Sequence, residues 1–104
     1  MNVIAKEKND RDGTVEYHLF RIGSWDLFDD IAGFFEQHYG AEVHHKTDGI
    51  CTRKWQMRCR DEYFFFEHHE DIGNWFYSCS EEGDSPLMQE IANELEKRLG
   101  QGTS

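Results

Sequence analysis

The sequence predicts an α+β fold: a mostly antiparallel sheet of about six strands with two helices packed on one face, in the order ββαββββα. Three observations lead there. Two segments place apolar residues at helical spacing between recognisable end signals. Elsewhere apolar and polar residues alternate over short runs. Glycine and aspartate punctuate those runs as tight turns. A chain of 104 residues has room for one core. A single domain is therefore expected over residues 1–100, with a disordered tail at 101–104.

Residues 2–7 and 14–22 are strand-like, with Val15, Tyr17 and Leu19 alternating against Glu16, His18 and Phe20. Between them Asn9-Asp10-Arg11-Asp12-Gly13 has turn chemistry, so the two form a hairpin. The first helix follows. Ser24 caps it, Asp26 suits its positive N-terminal end, and Gly40 fits the left-handed position that stops it. Leu27, Phe28, Ile31, Phe34 and Phe35 form its buried stripe, leaving Asp26, Asp29, Asp30, Glu36 and Gln37 outward.

A four-stranded meander comes next. Residues 41–46 lead into Thr47-Asp48-Gly49, a tight-turn signal. From Cys51 to Arg60 the chain alternates, with Cys51, Trp55, Met57 and Cys59 on one face and Thr52, Lys54, Gln56, Arg58 and Arg60 on the other. Arg53 falls on the apolar face and is expected near a strand end, where its head reaches water. Tyr63 to His69, a turn at Asp71-Ile72-Gly73-Asn74 and then Trp75 to Ser80 complete the meander. In Phe64-Phe65-Phe66 aromatics must point to both faces of the strand. The closing helix has Ser85 as cap, Pro86 at its first position and Gly100 at its end. Its core face is Leu87, Met88, Ile91, Ala92, Leu95 and Leu99.

Charge narrows the function classes more than the fold does. Between Asp61 and Glu96 stand eleven carboxylates and no lysine or arginine, and the formal net charge is −10. Such a field draws in cationic partners and repels nucleic acid and anionic membrane. No apolar run approaches the roughly 20 residues of a membrane helix. The N-terminus lacks a basic-then-apolar signal region, so the cytoplasm is the expected compartment. Cys51, Cys59 and Cys79 are an odd set without C-x-x-C spacing, against a disulfide framework or a zinc site.

No catalytic constellation emerges. All three cysteines are expected on the apolar side of their strands, as small hydrophobes. Ser78 and Ser80 lack a nucleophile-elbow context, and there is no glycine-rich phosphate loop. No cofactor is expected. His44-His45 and His68-His69 each point to opposite faces of a strand, so neither pair chelates through both rings. One histidine from each pair with Glu67 or Glu70 remains an alternative, a histidine-bound metal enzyme or sensor, although no HExxH or Cys/His ladder supports it. The basic face of Lys54, Arg58 and Arg60 is expected to be neutralised by an acidic neighbour rather than to bind nucleic acid.

More suggestive is His68-His69-Glu70-Asp71-Ile72-Gly73-Asn74-Trp75, which concentrates carboxylates, imidazoles and a large aromatic at a turn, the anatomy of an interface anchor flanked by charge. Thr52-Arg53-Lys54-Trp55, followed by Phe65-Phe66-Glu67-His68-His69-Glu70-Asp71-Ile72-Gly73-Asn74-Trp75-Phe76-Tyr77-Ser78, resembles small bacterial immunity proteins of contact-dependent growth-inhibition systems. The likeness covers roughly residues 50–100. It implies a non-enzymatic protein that binds and neutralises a cognate toxin domain, basic and of the nuclease class, as a monomer in a 1:1 complex. No direct contact with nucleic acid or membrane is implied. The expected toxin-binding residues are Glu67, His69, Glu70, Asp71 and Trp75, with Glu81, Glu82 and Asp84 adding field. A second surface is Asp26, Asp29, Asp30 and Glu36 on the first helix. An acidic adaptor for some other basic protein is the remaining alternative.

Overall fold

The chain lays down a hairpin, crosses to the far side of the sheet through a helix, and works its way back. In the computed structural model, which describes residues 4–9, 13–19, 25–80 and 82–101, β1 (Ile4–Lys8) and β2 (Val15–Leu19) form the hairpin. Helix α1 (Trp25–Tyr39) then leads to β3 (Glu42–Asp48) at the opposite edge. Strands β4 (Thr52–Cys59), β5 (Glu62–His69) and β6 (Gly73–Ser78) meander back until β6 pairs with β2. Helix α2 (Pro86–Gln101) closes the chain. The sheet order is β1-β2-β6-β5-β4-β3, antiparallel throughout. This is the α+β architecture and element order the sequence predicts.

Strand alternation decides the faces. Tyr17, Leu19, Trp55, Met57, Cys59, Phe64, Phe66 and Phe76 are buried on the helix side. From α1, Phe28 stacks on Phe66 with centroids 4.1 Å apart and meets Trp55 edge-on at 4.9 Å. Phe35 sets its edge against Phe64, Phe66 and Phe76. From α2, Leu87, Met88, Ile91, Ala92 and Leu95 complete the core. Each fully buried phenylalanine, leucine, isoleucine or methionine among them contributes about 1.5–3 kcal/mol by leaving water. Ser85 caps α2 by accepting the Met88 N–H at 3.2 Å. Gly40 ends α1 with φ 64°, and the Gly40 and Ala41 N–H groups donate to the Glu36 and Phe35 carbonyls.

Some expectations shift in detail. Helix α2 runs one residue past Gly100. Cys51 and Cys79 are exposed, and only Cys59 is buried. Cys51 lies in the turn before β4, where alternation no longer dictates the face, and Cys79 follows β6 on the side of Trp75 and Tyr77, away from the core. Arg53 does sit on the helix side near a strand end. Its guanidinium finds Asp29 of α1 at 2.7 Å and lies by the Phe28 and Trp55 rings. The Ser24 cap, the Asp26 and Leu99 side chains, Glu81, the turn residues 10–12 and, of the expected tail at 101–104, residues 102–104 lie outside the described residues. Among those that are described, no helix is long and apolar enough to cross a membrane.

Candidate protein-docking site

Because β4 and β5 are neighbours, the β3–β4 turn (Gly49 to Cys51) and the β5–β6 turn (Glu70 to Ile72) stand side by side at one end of the sheet. Thr52 pairs with His69, and the Glu70 N–H donates to the Cys51 carbonyl at 3.0 Å. This juxtaposition brings Ile50, 98% exposed, next to the turn that carries Ile72, 59% exposed. Large aliphatic groups held this far into water by ordered turns stabilise nothing inside the chain.

Around them lie the expected interface residues His69, Glu70 and Asp71. The Asp71 N–H donates to His69 Nδ1 at 3.0 Å, which holds the ring over the turn. Glu70 accepts a hydrogen bond from the Cys51 thiol, and this bond and the carboxylate's charge push the thiol pKa up. An exposed thiol so placed is less reactive than an ordinary one, the reverse of a catalytic cysteine. Among the described residues, neither Glu70 nor Asp71 makes an ion pair.

Glu67 and Trp75 lie elsewhere, opposite each other on the sheet face that no helix covers. That face is knitted over by its own polar groups. Trp75 stacks on His18 at 5.4 Å, Lys54 reaches over Phe65 at 4.6 Å, and Arg58 lies by Tyr63. The Tyr77 hydroxyl donates to Glu67, and burial together with that bond pushes the Tyr77 pKa well up. Lys54 stands opposite Glu67 in register, whereas Arg58 stands opposite Tyr63 and finds its carboxylate in Asp61 of the following turn, and Arg60 finds Glu90 of α2.

Glu82 and Asp84 belong to the opposite end of the sheet. Glu82 is exposed. Asp84 accepts from the Tyr17 hydroxyl at 2.8 Å, the Ser85 N–H at 2.8 Å and Gln89 at 3.2 Å, and lies 3.6 Å from Lys6. Other members of the acidic run are similarly engaged. Glu62 accepts from Ser78 and Ser85, Asp61 pairs with Arg58, Glu90 with Arg60 and Glu94 with Arg98, while Glu96 accepts the Ile4 N–H. On α1, Asp29, Asp30 and Glu36 are exposed, with Asp29 held by Arg53.

The two histidine pairs are separated by β4. His68 faces the core and its Nδ1 lies 2.7 Å from Asn74 Oδ1, whereas His44 and His45 are exposed on edge strand β3. What brings three ligating groups together is instead Glu7, Glu16 and His18 on the β1–β2 hairpin. The sequence reading passed over Ile50 and Ile72. A usable signal existed, since each is an isoleucine beside a turn glycine (Gly49-Ile50 and Ile72-Gly73), where no alternation can bury it.

No protein-family model, no curated protein and no solved structure matches the chain.

Proposed function

We propose that this chain is an immunity protein: a non-catalytic, cytoplasmic monomer that binds a basic toxin domain of the nuclease class in a 1:1 complex and blocks it. The observation that carries this reading is the tip formed by the two adjacent turns. Ile50 and Ile72 supply apolar anchors, and Glu70 and Asp71 supply carboxylates not committed to ion pairs among the described residues. Buried apolar anchors rimmed by charge are how specific protein interfaces are built. Carboxylates beside them accelerate encounter with a basic surface of the kind that binds nucleic acid. The raised Cys51 thiol pKa and the internal use of Asp84 and Glu62 both favour binding over catalysis.

The partner to test is the protein encoded immediately upstream of this chain, produced as its isolated C-terminal domain. The expected result is a stable 1:1 complex by size-exclusion chromatography and loss of the domain's nuclease activity. Ile50→Asp with Ile72→Asp should weaken that complex by at least about 30-fold, the size of a hot-spot loss of about 2 kcal/mol. Full affinity in the double variant would remove the tip from the interface. A partner lacking nuclease activity would instead favour the acidic-adaptor reading.

A further inference from the structure

The open face of the β1–β2 hairpin gathers three groups that neither the tip nor the core uses. Glu7 and Glu16 are direct cross-strand partners, and His18, two residues beyond Glu16, faces the same way. His18 Nε2 stands 2.9 Å from Glu16 Oε1 and 3.3 Å from Glu7 Oε2. One ligand atom from each of the three lies within 4.8 Å of the others. We propose that Glu7, Glu16 and His18 bind a divalent transition-metal ion of the zinc class, with water completing its coordination.

The donor chemistry selects that class. One imidazole nitrogen and two carboxylate oxygens form a borderline set that suits zinc and its first-row neighbours better than magnesium or calcium, which prefer oxygen alone. The spacing is close to what such an ion requires. Tetrahedral bonds of about 2.0–2.1 Å place donors about 3.3–3.5 Å apart, so His18 Nε2 already stands at that spacing from Glu7 Oε2 at 3.3 Å and a few tenths of an ångström inside it from Glu16 Oε1 at 2.9 Å. The small movement falls to the Glu16 carboxylate, whose side chain is 26% exposed, while Glu7, 62% exposed on the edge strand, can adjust to the ion. His18 is more firmly set. Its ring stacks on Trp75 with 16° between the planes, which aims the edge carrying Nε2, rather than the ring face, at the two carboxylates.

Charge provides a second, independent argument. Two carboxylates face one imidazole, so even a fully protonated ring leaves the cluster negative. Register turns Lys6 and Lys8 to the other side of the hairpin, opposite Tyr17 and Val15, and Lys6 is directed to Asp84. The remaining β1 residue on the cluster's face is Ala5, opposite His18. On β6 the neighbours are Trp75 and Tyr77, and Glu16 itself helps to raise the Tyr77 pKa. Among the described residues of these strands, no lysine or arginine on this face balances the excess. A bound dication would do so, and would fasten edge strand β1 to β2.

The test is a calorimetric titration of Zn²⁺ into the full chain carrying Cys51→Ser and Cys79→Ser, so that exposed thiols do not contribute. The expected result is one saturable site with micromolar affinity and a shift of the His18 ring resonances. His18→Ala should weaken binding at least about tenfold, the equivalent of about 1.4 kcal/mol. Glu16→Gln, which keeps the shape of the side chain, should act in the same direction, and His44→Ala should have no effect. Circular dichroism checks that the His18 variant folds. No saturable binding up to about 100 µM zinc overturns the proposal. So does binding that survives both His18→Ala and Glu16→Gln.

Discussion

The two ends of the sheet treat their acidic residues in opposite ways. At the end formed by the Arg60-Asp61 turn and residues 82–85, carboxylates are built into the fold. Asp84 holds Tyr17 and the start of α2 and Glu62 joins β5 to the Ser85 cap, while at the surface Asp61 pairs with Arg58 of β4 and Glu90 with Arg60. At the tip, Glu70 and Asp71 stand beside exposed isoleucines without an ion pair among the described residues. A carboxylate that stabilises the fold is not available to a partner, and one available to a partner contributes little to the fold. Local density of acids in the sequence therefore says less about an interface than what each acid is bonded to.

The built-in end should be far more sensitive to change. Gly83 has φ 80° and its carbonyl accepts the Val15 N–H at 2.8 Å, which docks the loop before α2 on the β1–β2 hairpin. An added Cβ there would collide with the Gly13 carbonyl oxygen and stand 3.0 Å from Thr14 Cα. Both obstacles are backbone, so neither can swing aside. Gly83→Ala should cost about 3 kcal/mol, from left-handed strain plus the clash. Urea denaturation measures it, and a loss below about 1 kcal/mol would mean that the two segments are not locked together.

A smaller effect should appear with alkali. Burial, the hydrogen bond to Asp84 and that carboxylate's charge push the Tyr17 pKa well above its usual value, and Tyr77 is raised in the same way beside Glu67. The unfolded chain releases these protons near pH 10 while the folded chain keeps them. The folded state then binds more protons, so stability is intact below about pH 10 and falls as pH rises further. Each tyrosine adds a slope of about 1.4 kcal/mol per pH unit. Tyr17→Phe should remove one such contribution, and an unchanged slope in denaturation curves at pH 9 to 11 would mean that folding does not hold the Tyr17 proton.

These contrasts also mark what could be read from the chain alone. Alternation and end signals located all eight elements because burial of one face imposes a period on the sequence, as Trp55-Met57-Cys59 and the α2 stripe illustrate. The exposure of Glu70 and Asp71 was legible for the same local reason, since a turn exposes whatever it carries. Partnerships were not. Asp84 with Tyr17 spans 67 residues of sequence, and Glu62 with Ser85 spans 23. The β2–β6 pairing that creates the first, and the α2 cap that creates the second, are set by tertiary packing. Neither the adjacency of Ile50 to Ile72 nor the Glu7-Glu16-His18 cluster follows from periodicity, because both depend on which strands become neighbours and in what register.

The smallest effect on stability should come from reversing charge at the tip. Glu70→Lys and Asp71→Lys remove no ion pair formed among the described residues, and the Glu70 contact that is lost, to the exposed Cys51 thiol, is a weak bond in water. Stability should stay within about 0.5 kcal/mol of the parent. Binding to a basic partner should nevertheless change, through rate rather than fold. A rim carboxylate acts on encounter, so stopped-flow association should slow in each variant and its dependence on ionic strength should flatten. The dissociation rate should move less, because in the proposed complex Ile50 and Ile72 would supply the packed contacts. Should both reversals leave the association rate and its salt dependence untouched, the steering field lies elsewhere, and the exposed Asp30 and Glu36 of α1 become the surface to reverse next.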